Sequence, residues 1–260
     1  MKSKIYSAVL AMLILLSSVI NAKATSSAYA WFIKRNGNNT PGFSQESLMV
    51  ESNNGFYIDK NAAKNCDKIL YLTFDAGYEN GNIEKTLDIL KSENVPAAFF
   101  VLDNLILKNT DLIMRMESEG HLVCNHTKNH RDLTKCTKEE IVKNITDLEK
   151  IYEEKTGNAL AKYFRFPEGR YSEEALKVVS DMGYKTIFWS FAYDDWDNTR
   201  QPNIEKAYKK VLSNTHDGAV LLFHPTSNTN VEILPSLIKE WQAMGYRFGT
   251  LDELTKQKRS

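Results

Sequence analysis

The chain has 260 residues, 33 basic and 33 acidic side chains and no formal net charge, with 42% apolar and 25% charged residues. That is globular composition, neither disordered nor fibrous, and long enough for one large domain or two small ones. The charge balance argues against a nucleic-acid binder working through a basic surface, and three cysteines are too few and too odd for a disulfide scaffold.

Lys2 and Lys4 precede an apolar run from Ile5 to Ile20, and Ala22-Lys23-Ala24 follows. A charged start, an apolar middle and an A-x-A end predict an export signal over residues 1–24, with Ala28-Tyr29-Ala30 as a second cleavage site. The alternative is an uncleaved membrane anchor, although the run is short against the ~20 apolar residues of a usual span. Removing residues 1–24 takes away Lys2, Lys4 and Lys23 and no acid, leaving a slight acidic excess that selects no partner. Residues 25–66 are polar, with turn chemistry at Asn36-Gly37-Asn38-Asn39 and Pro41-Gly42. They read as an extended N-terminal arm whose Trp31 and Phe32 pack on the body.

A main domain over 67–256 follows. Ile69 to Phe74 is an apolar, β-branched run that predicts a buried strand. Ile83 to Ser92 places Ile83, Leu87 and Leu90 on one helical stripe. Pro96 introduces a second strand, Ala97 to Val101. Thr137-Lys138-Glu139-Glu140 is a capping box that starts a helix carrying Ile141, Ile145, Leu148 and Tyr152 on one face and ending at Gly157. Three times a helix stops at a glycine and a strand begins at the next residue: Gly120-His121, Gly183-Tyr184 and Gly245-Tyr246. Strands alternating with helices predict an α/β fold with a parallel sheet, better fitted as a barrel than as two domains.

Several chemistry-bearing residues sit where predicted strands meet loops, the place where α/β folds build sites. Asp75 ends an apolar strand in Thr73-Phe74-Asp75-Ala76-Gly77-Tyr78-Glu79, and a buried acid is costly unless paired or used; a turn-forming Asp before Gly77 is the plain alternative. His126 and His130 in His126-Thr127-Lys128-Asn129-His130 are four apart, on one face of a helical turn, so that both imidazoles can reach one metal. Cys124 is either a competing ligand or a buried apolar residue, and His121 reads as structural. No HExxH pattern occurs, which disfavours a standard zinc protease. Arg165, after the strand-like Tyr163-Phe164 and before Phe166-Pro167-Glu168-Gly169, can fork onto a carboxylate. Phe188 to Tyr193 predicts a strand leading to Asp194-Asp195-Trp196. Val220 to Phe223 leads to His224, a candidate general acid or base with Asp195 as its orienting carboxylate and Trp196 as an apolar wall.

Taken in order, TFDAGYENG, HTKNH, RFPEG, DDW and LLFH resemble the five signatures of the polysaccharide deacetylase family, the NodB-like carbohydrate esterases of family 4. The resemblance runs from about Lys68 to Leu254. It implies a distorted, incomplete (β/α) barrel with its site at the C-terminal strand ends. The YENG stretch and the Trp31-Phe32 arm resemble the peptidoglycan N-acetylmuramic acid deacetylases that lead to the muramic δ-lactam of spore cortex.

Roles follow from that resemblance. Asp75 matches the base, Arg165 the residue that positions it, His224 the general acid and Asp195 the acid that tunes it. His126 and His130 match the ligands of a divalent ion, zinc first, with magnesium, manganese or cobalt as alternatives. Trp196 and Leu222 match walls of the acetate pocket, and Tyr78 and Glu168 join them as substrate-binding residues, Glu168 through its backbone N–H. Ala76 stands where most of the family has a second, metal-binding aspartate, although δ-lactam-type relatives also lack it, and Phe166 stands where proline is usual. The resemblance further implies an exported protein of the cell wall, spore cortex or intermembrane space, acting on glycan strands after an N-acetylmuramoyl-L-alanine amidase, with membrane attachment through its apolar segment if uncleaved and no role for nucleic acid. Two rivals remain: a non-catalytic glycan-binding relative, and a deacetylase of N-acetylglucosamine or chitin-type glycans.

Overall fold

The computed structural model describes residues 27–34 and 41–256. The export segment and the Asn36-Gly37-Asn38-Asn39 turn therefore lie outside the described residues. Among the described residues, no helix is long and apolar enough to cross a membrane.

The centre of the molecule is a curled parallel sheet. Strand β3 (Ile69–Ala76) pairs with β4 (Ala97–Val101), β4 with β5 (Leu122–Asn125), β5 with β6 (Ala161–Phe164) and β6 with β8 (Lys185–Ile187). β3 also carries β9 (Ala219–Phe223) and, at its start, the short β10 (Arg247–Phe248). On the side between β8 and β9 the curl is joined only by isolated bridges among the described residues, Phe191 to Leu221 and Ile58 to Ala219. The result is a distorted, incomplete barrel.

Residue alternation on β3 explains why its sequence is apolar throughout and where its acid points. Leu70, Leu72, Phe74 and Ala76 belong to the large apolar cluster that also takes residues of α3 (Ile83–Ser92), α5 (Thr110–Ser118) and α9 (Asn228–Ala243). Ile69 and Tyr71 belong to a second cluster with Phe100, Cys124, Ile187 and Val220, drawn from the other strands. A strand buried on both faces needs no polar alternation. Thr73 and Asp75 continue the inner face, so the period of two delivers Asp75 to the mouth of the barrel at the C-terminal strand ends.

The helices follow their sequence signals closely. α3 has the predicted bounds, and both capping-box bonds of α6 (Lys138–Thr156) are present, with Gly157 at φ 74° closing it. Gly120, Gly183 and Gly245 all have left-handed backbones, φ 84°, 82° and 86°. The strands after them start one residue later than predicted, at Leu122, Lys185 and Arg247. α4 (Asp103–Lys108), α7 (Glu173–Asp181) and α8 (Ile204–Leu212) complete the outer layer.

Two expectations fail here. Residues 25–66 are not simply extended: they carry β1 (Tyr29–Ala30), α1 (Ser47–Ser52), β2 (Gly55–Phe56) and α2 (Lys60–Asn65). β2 joins the main sheet beside β8, and β1 pairs with β7 (Arg170–Tyr171). Trp31 is buried among Phe43, Tyr57 and Phe188, but Phe32 is half exposed and does not pack as predicted. Second, Phe188 to Tyr193 is not a strand. β8 ends at Ile187, and the aromatic segment after it is irregular apart from the Phe191 bridge.

Candidate active site

The strand ends converge on one cleft of about 670 Å3. Asp75 and Arg165 lie at its base. Arg165, fully buried directly after β6, donates from Nη1 to Asp75 Oδ1 at 2.8 Å, from Nη2 to Thr73 Oγ1 at 2.9 Å and from Nε to the Ile187 carbonyl at 2.9 Å. The predicted fork thus reaches the carboxylate with one arm only; the others fasten the guanidinium to two strands. Its carbon sits 4.1 Å from the Phe100 ring centre. Burial works against the Asp75 charge, and the fields of His126, Arg165 and His224 outweigh it, so the carboxyl lies below the usual range.

His126 and His130 are held by a loop, not by the predicted helical turn. β5 ends at Asn125, and Thr127 and His130 both have left-handed backbones, φ 71° and 58°. For β-branched Thr127 such a conformation is strained. Asn125 Oδ1 accepts from the Thr127 N–H at 2.9 Å, and Asn144 of α6 accepts from the Lys128 N–H at 2.7 Å. These two asparagines give the loop its shape, and nothing in the sequence singled them out. The loop brings the two imidazoles to 5.0 Å between ring centres.

His126 Nδ1 lies 2.9 Å from the Arg165 carbonyl oxygen, which can only accept, so Nδ1 carries the proton. Nε2 then presents a lone pair toward the cleft, 3.5 Å from Asp75 Oδ2. Burial, reinforced by His130, outweighs the pull of Asp75 and holds His126 down to about 4. A neutral imidazole whose outer nitrogen is anchored to a carbonyl is how metal-binding histidines are held. Among the described residues, no group of three or more His, Cys, Asp or Glu is arranged to hold a metal. The two histidines therefore fit a divalent ion as an incomplete protein ligand set, open to water or substrate. Ala76 is buried in the outer apolar cluster, and Cys124 is fully buried with its thiol pushed up by burial, so neither faces the cleft. His121 accepts from the Ala97 N–H, which fits its structural reading.

At the end of β9, beside the Asp75 strand, His224 donates twice to the fully buried Asp195: from its backbone N–H at 2.9 Å and from Nδ1 at 2.7 Å. Burial lowers the His224 pKa, but Asp195, with help from Asp75, outweighs it and raises the imidazole above its ordinary value. The Nδ1–H bond leaves Nε2 as the nitrogen free to exchange a proton.

The cleft is lined by Tyr78, Leu222, Trp196 and Glu168 together with Asp75, His126, His130 and His224. Trp196 and Tyr78 are exposed apolar surfaces at the rim, with 59% and 46% of their area open. Asn198 donates to the Tyr78 hydroxyl and ties the two rim loops together. Glu168 has φ 54°, and its side chain turns to Arg170, 3.0 Å away. The sequence did not flag Trp189, Tyr193, Leu102 or Thr226, which also line the cleft. Thr73 was readable in principle, as a lone hydroxyl inside an apolar strand.

The family signature of polysaccharide deacetylase matches residues 62–187, and the Bacillus subtilis (strain 168) peptidoglycan-N-acetylmuramic acid deacetylase PdaA is 36% identical over 230 residues, covering 88% of this chain and 86% of that protein. The chain belongs to the polysaccharide deacetylase family. The solved structure of PdaA, described as a family 4 carbohydrate esterase, superposes with a TM-score of 0.84 at 35% identity, over 90% of this chain and 99% of the solved chain. A peptidoglycan-N-acetylglucosamine deacetylase of Bacillus cereus is 31% identical over 199 residues, covering 75% of this chain and 91% of that one. As a member of this family the chain is a hydrolase that cleaves N-acetyl amide bonds, and its curled parallel sheet with surrounding helices is the family fold.

Proposed function

We propose that this chain is a metal-dependent peptidoglycan deacetylase that removes the acetyl group from N-acetylmuramic acid, leading to the muramic δ-lactam of spore cortex. The observation that supports the substrate is the extent of the likeness to PdaA, which spans 88% of this chain in sequence and 90% in structure. Export through residues 1–24 to the cell wall, and prior action of an amidase that strips the stem peptide, belong to the same reading.

In this reading His126 and His130 hold a divalent ion, zinc in the first instance. When bound, the ion supplies Lewis acidity toward the acetamide carbonyl and a more acidic water. Asp75, kept ionised against burial by its neighbours and steadied by Arg165, takes the proton from the attacking water. The backbone N–H of Glu168, a residue that lines the cleft, donates in this reading to the developing oxyanion. His224, kept cationic by Asp195, gives its Nε2 proton to the departing amine. Base and acid thus stand side by side at the ends of the paired strands β3 and β9, with environments that push their protonation states apart. Leu222 and Trp196 form the apolar pocket for the acetyl methyl, and Tyr78 extends the sugar-binding rim. The freed amine of muramic acid lies close to the lactyl carboxyl on the same ring, and loss of water between them closes the six-membered lactam.

The likeness to the Bacillus cereus enzyme keeps N-acetylglucosamine as a second substrate reading. The test uses purified residues 25–260 with added divalent metals on glycan strands whose muramic acids lack peptide. Acetate release with a mass loss of water at muramic residues, both abolished in Asp75→Asn, is the expected result. Acetate from N-acetylglucosamine residues alone would move the assignment to that sugar. Strand binding without acetate under any metal would overturn the catalytic reading in favour of a binding protein.

A further inference from the structure

The Asp195 carboxylate hangs from an irregular loop, and a carboxylate on a loop is free to turn about its last torsion unless something fixes its plane. Its Oδ1 faces His224 Nδ1, and its Oδ2 receives the His224 backbone N–H. A third donor comes from a different element. Asn230, on the first turn of α9 and buried, donates from Nδ2 to Asp195 Oδ2 at 2.6 Å and to the His224 carbonyl at 3.0 Å.

The chemistry leaves no choice in how this amide is turned. Rotating it by half a turn would place its oxygen against a carboxylate oxygen and a carbonyl oxygen, both of which only accept. Its Oδ1 instead accepts from the Tyr193 hydroxyl, two residues before Asp195. One side chain therefore touches the acid, the residue the acid serves and the segment leading to the acid. The helix turn that carries it is itself secured. Ser227 Oγ accepts from the Asn230 N–H at 3.2 Å, and Gln201 Oε1 accepts from Ser227 Oγ at 2.6 Å. Gln201 Nε2 in turn donates to the Asp197 carbonyl at 2.9 Å, on the Asp195 loop.

We propose that Asn230 is a positioning residue that fixes the plane of the Asp195 carboxylate, and through it the ring orientation of His224 and, once the Nε2 proton has been given up, its Nδ1–H tautomer. Asn230 touches no substrate; it acts through Asp195. An orienting carboxylate matters only while it faces the imidazole N–H, since a misturned one leaves the ring free to adopt the other tautomer. The inference rests on the reading of His224 as the proton donor, and one arm of its test needs no substrate.

That arm is proton NMR of the free protein. The His224 Nδ1–H, bonded to a carboxylate, is expected as a slowly exchanging downfield resonance, assigned by its loss in His224→Gln. In Asn230→Ala the resonance moves upfield or broadens away. In the same variant kcat for acetate release falls about 10- to 100-fold, the range for loss of an outer orienting hydrogen bond. KM stays within about threefold on that account, because the substrate-lining residues are untouched. Should Asn230→Ala fail to fold, Asn230→Asp keeps the volume and sets a second carboxylate against Asp195, and the same two changes are expected. An unaltered resonance with kcat within about twofold of the parent, in either folded variant, would overturn the proposal, even if the melting temperature fell. A resonance lost on substitution in a protein that releases no acetate would keep Asn230 in its positioning role while refuting the deacetylase reading.

Discussion

Arg165→Met tests whether a single buried cation organises the Asp75 side of the cleft. Methionine replaces most of the aliphatic stem and still packs on Phe100, so the change removes the guanidinium rather than the volume. Three bonds go with it: to Asp75, Thr73 and Ile187. Thr73 keeps its bond to the Leu221 carbonyl at 2.7 Å and loses little. Breaking a buried ion pair by removing one partner costs about 3–5 kcal/mol. The orphaned Ile187 carbonyl adds about 1–3 kcal/mol. The sum, roughly 4–8 kcal/mol, is a large part of the ~5–15 kcal/mol a domain has. At about 2–4 °C per kcal/mol it corresponds to a fall in melting temperature of roughly 10–30 °C. The assay is urea unfolding near neutral pH with chelator present, so that metal does not contribute. Asn at position 75 in the double variant Asp75→Asn/Arg165→Met should recover part of the loss, because the stranded charge is gone. A loss under about 1 kcal/mol in Arg165→Met would show that Asp75 does not depend on the pair, and would refute the argument.

Asp195→Asn lowers the His224 pKa by removing the charge that holds it above 6.5. The alkaline limb of acetate release, which the proposed mechanism assigns to deprotonation of His224, then moves to lower pH; an unmoved limb would mean His224 does not set it. The stability sign is the same, because a raised folded pKa contributes stability below the unfolded value that is lost as pH rises through the folded one. Urea unfolding should therefore show a larger loss from Asp195→Asn at about pH 5.5 than at about pH 9. Gly169→Ala places a Cβ 2.7 Å from Trp189 Cη2 and 3.1 Å from Trp31 Cβ at φ +64°. Overpacking at about 1–3 kcal/mol and the left-handed backbone at about 1–2 kcal/mol predict a loss of roughly 2–5 kcal/mol, read by thermal unfolding. An unchanged melting temperature would show that Trp189 and Trp31 yield freely.

The parts of the fold legible in the sequence were those that a local rule decides. α6 announced itself through Thr137 and Glu140 at one end and Gly157 at the other, and β3 and β4 through apolar runs that both faces of the sheet bury. The misread segments were decided by distant partners. Phe188 to Tyr193 has strand composition, yet Trp189 and Tyr193 turn to the cleft, and Ser190 Oγ lies 2.8 Å from His216 Nε2. His126 and His130 have helical spacing, but Asn125 and Asn144 bend their loop into left-handed turns that spacing cannot foretell. α1 and α2 are six residues each, too short for periodicity to register. The titratable residues of the site were legible because a charged group at the end of an apolar strand needs a reason. The neutral amides that aim them, Asn125, Asn144 and Asn230, carry no such mark.

Both flanks of the sheet are completed by chain that is remote in sequence. Gly55 of β2 pairs with Thr186 of β8, and Ile69 of β3 with Arg247 of β10. Closing such loops costs entropy before any contact repays it, so the barrel assembles late and slowly compared with a fold built from neighbouring pieces. During that interval β8 and β3 each present an unpaired backbone edge able to pair with another chain. The order of synthesis sharpens the effect: β2 emerges early and waits for β8, while β3 lacks β9 and β10 until almost the whole polypeptide has been delivered. A chain assembled in this order stays unfolded, and open to proteases and to aggregation, for most of its own synthesis.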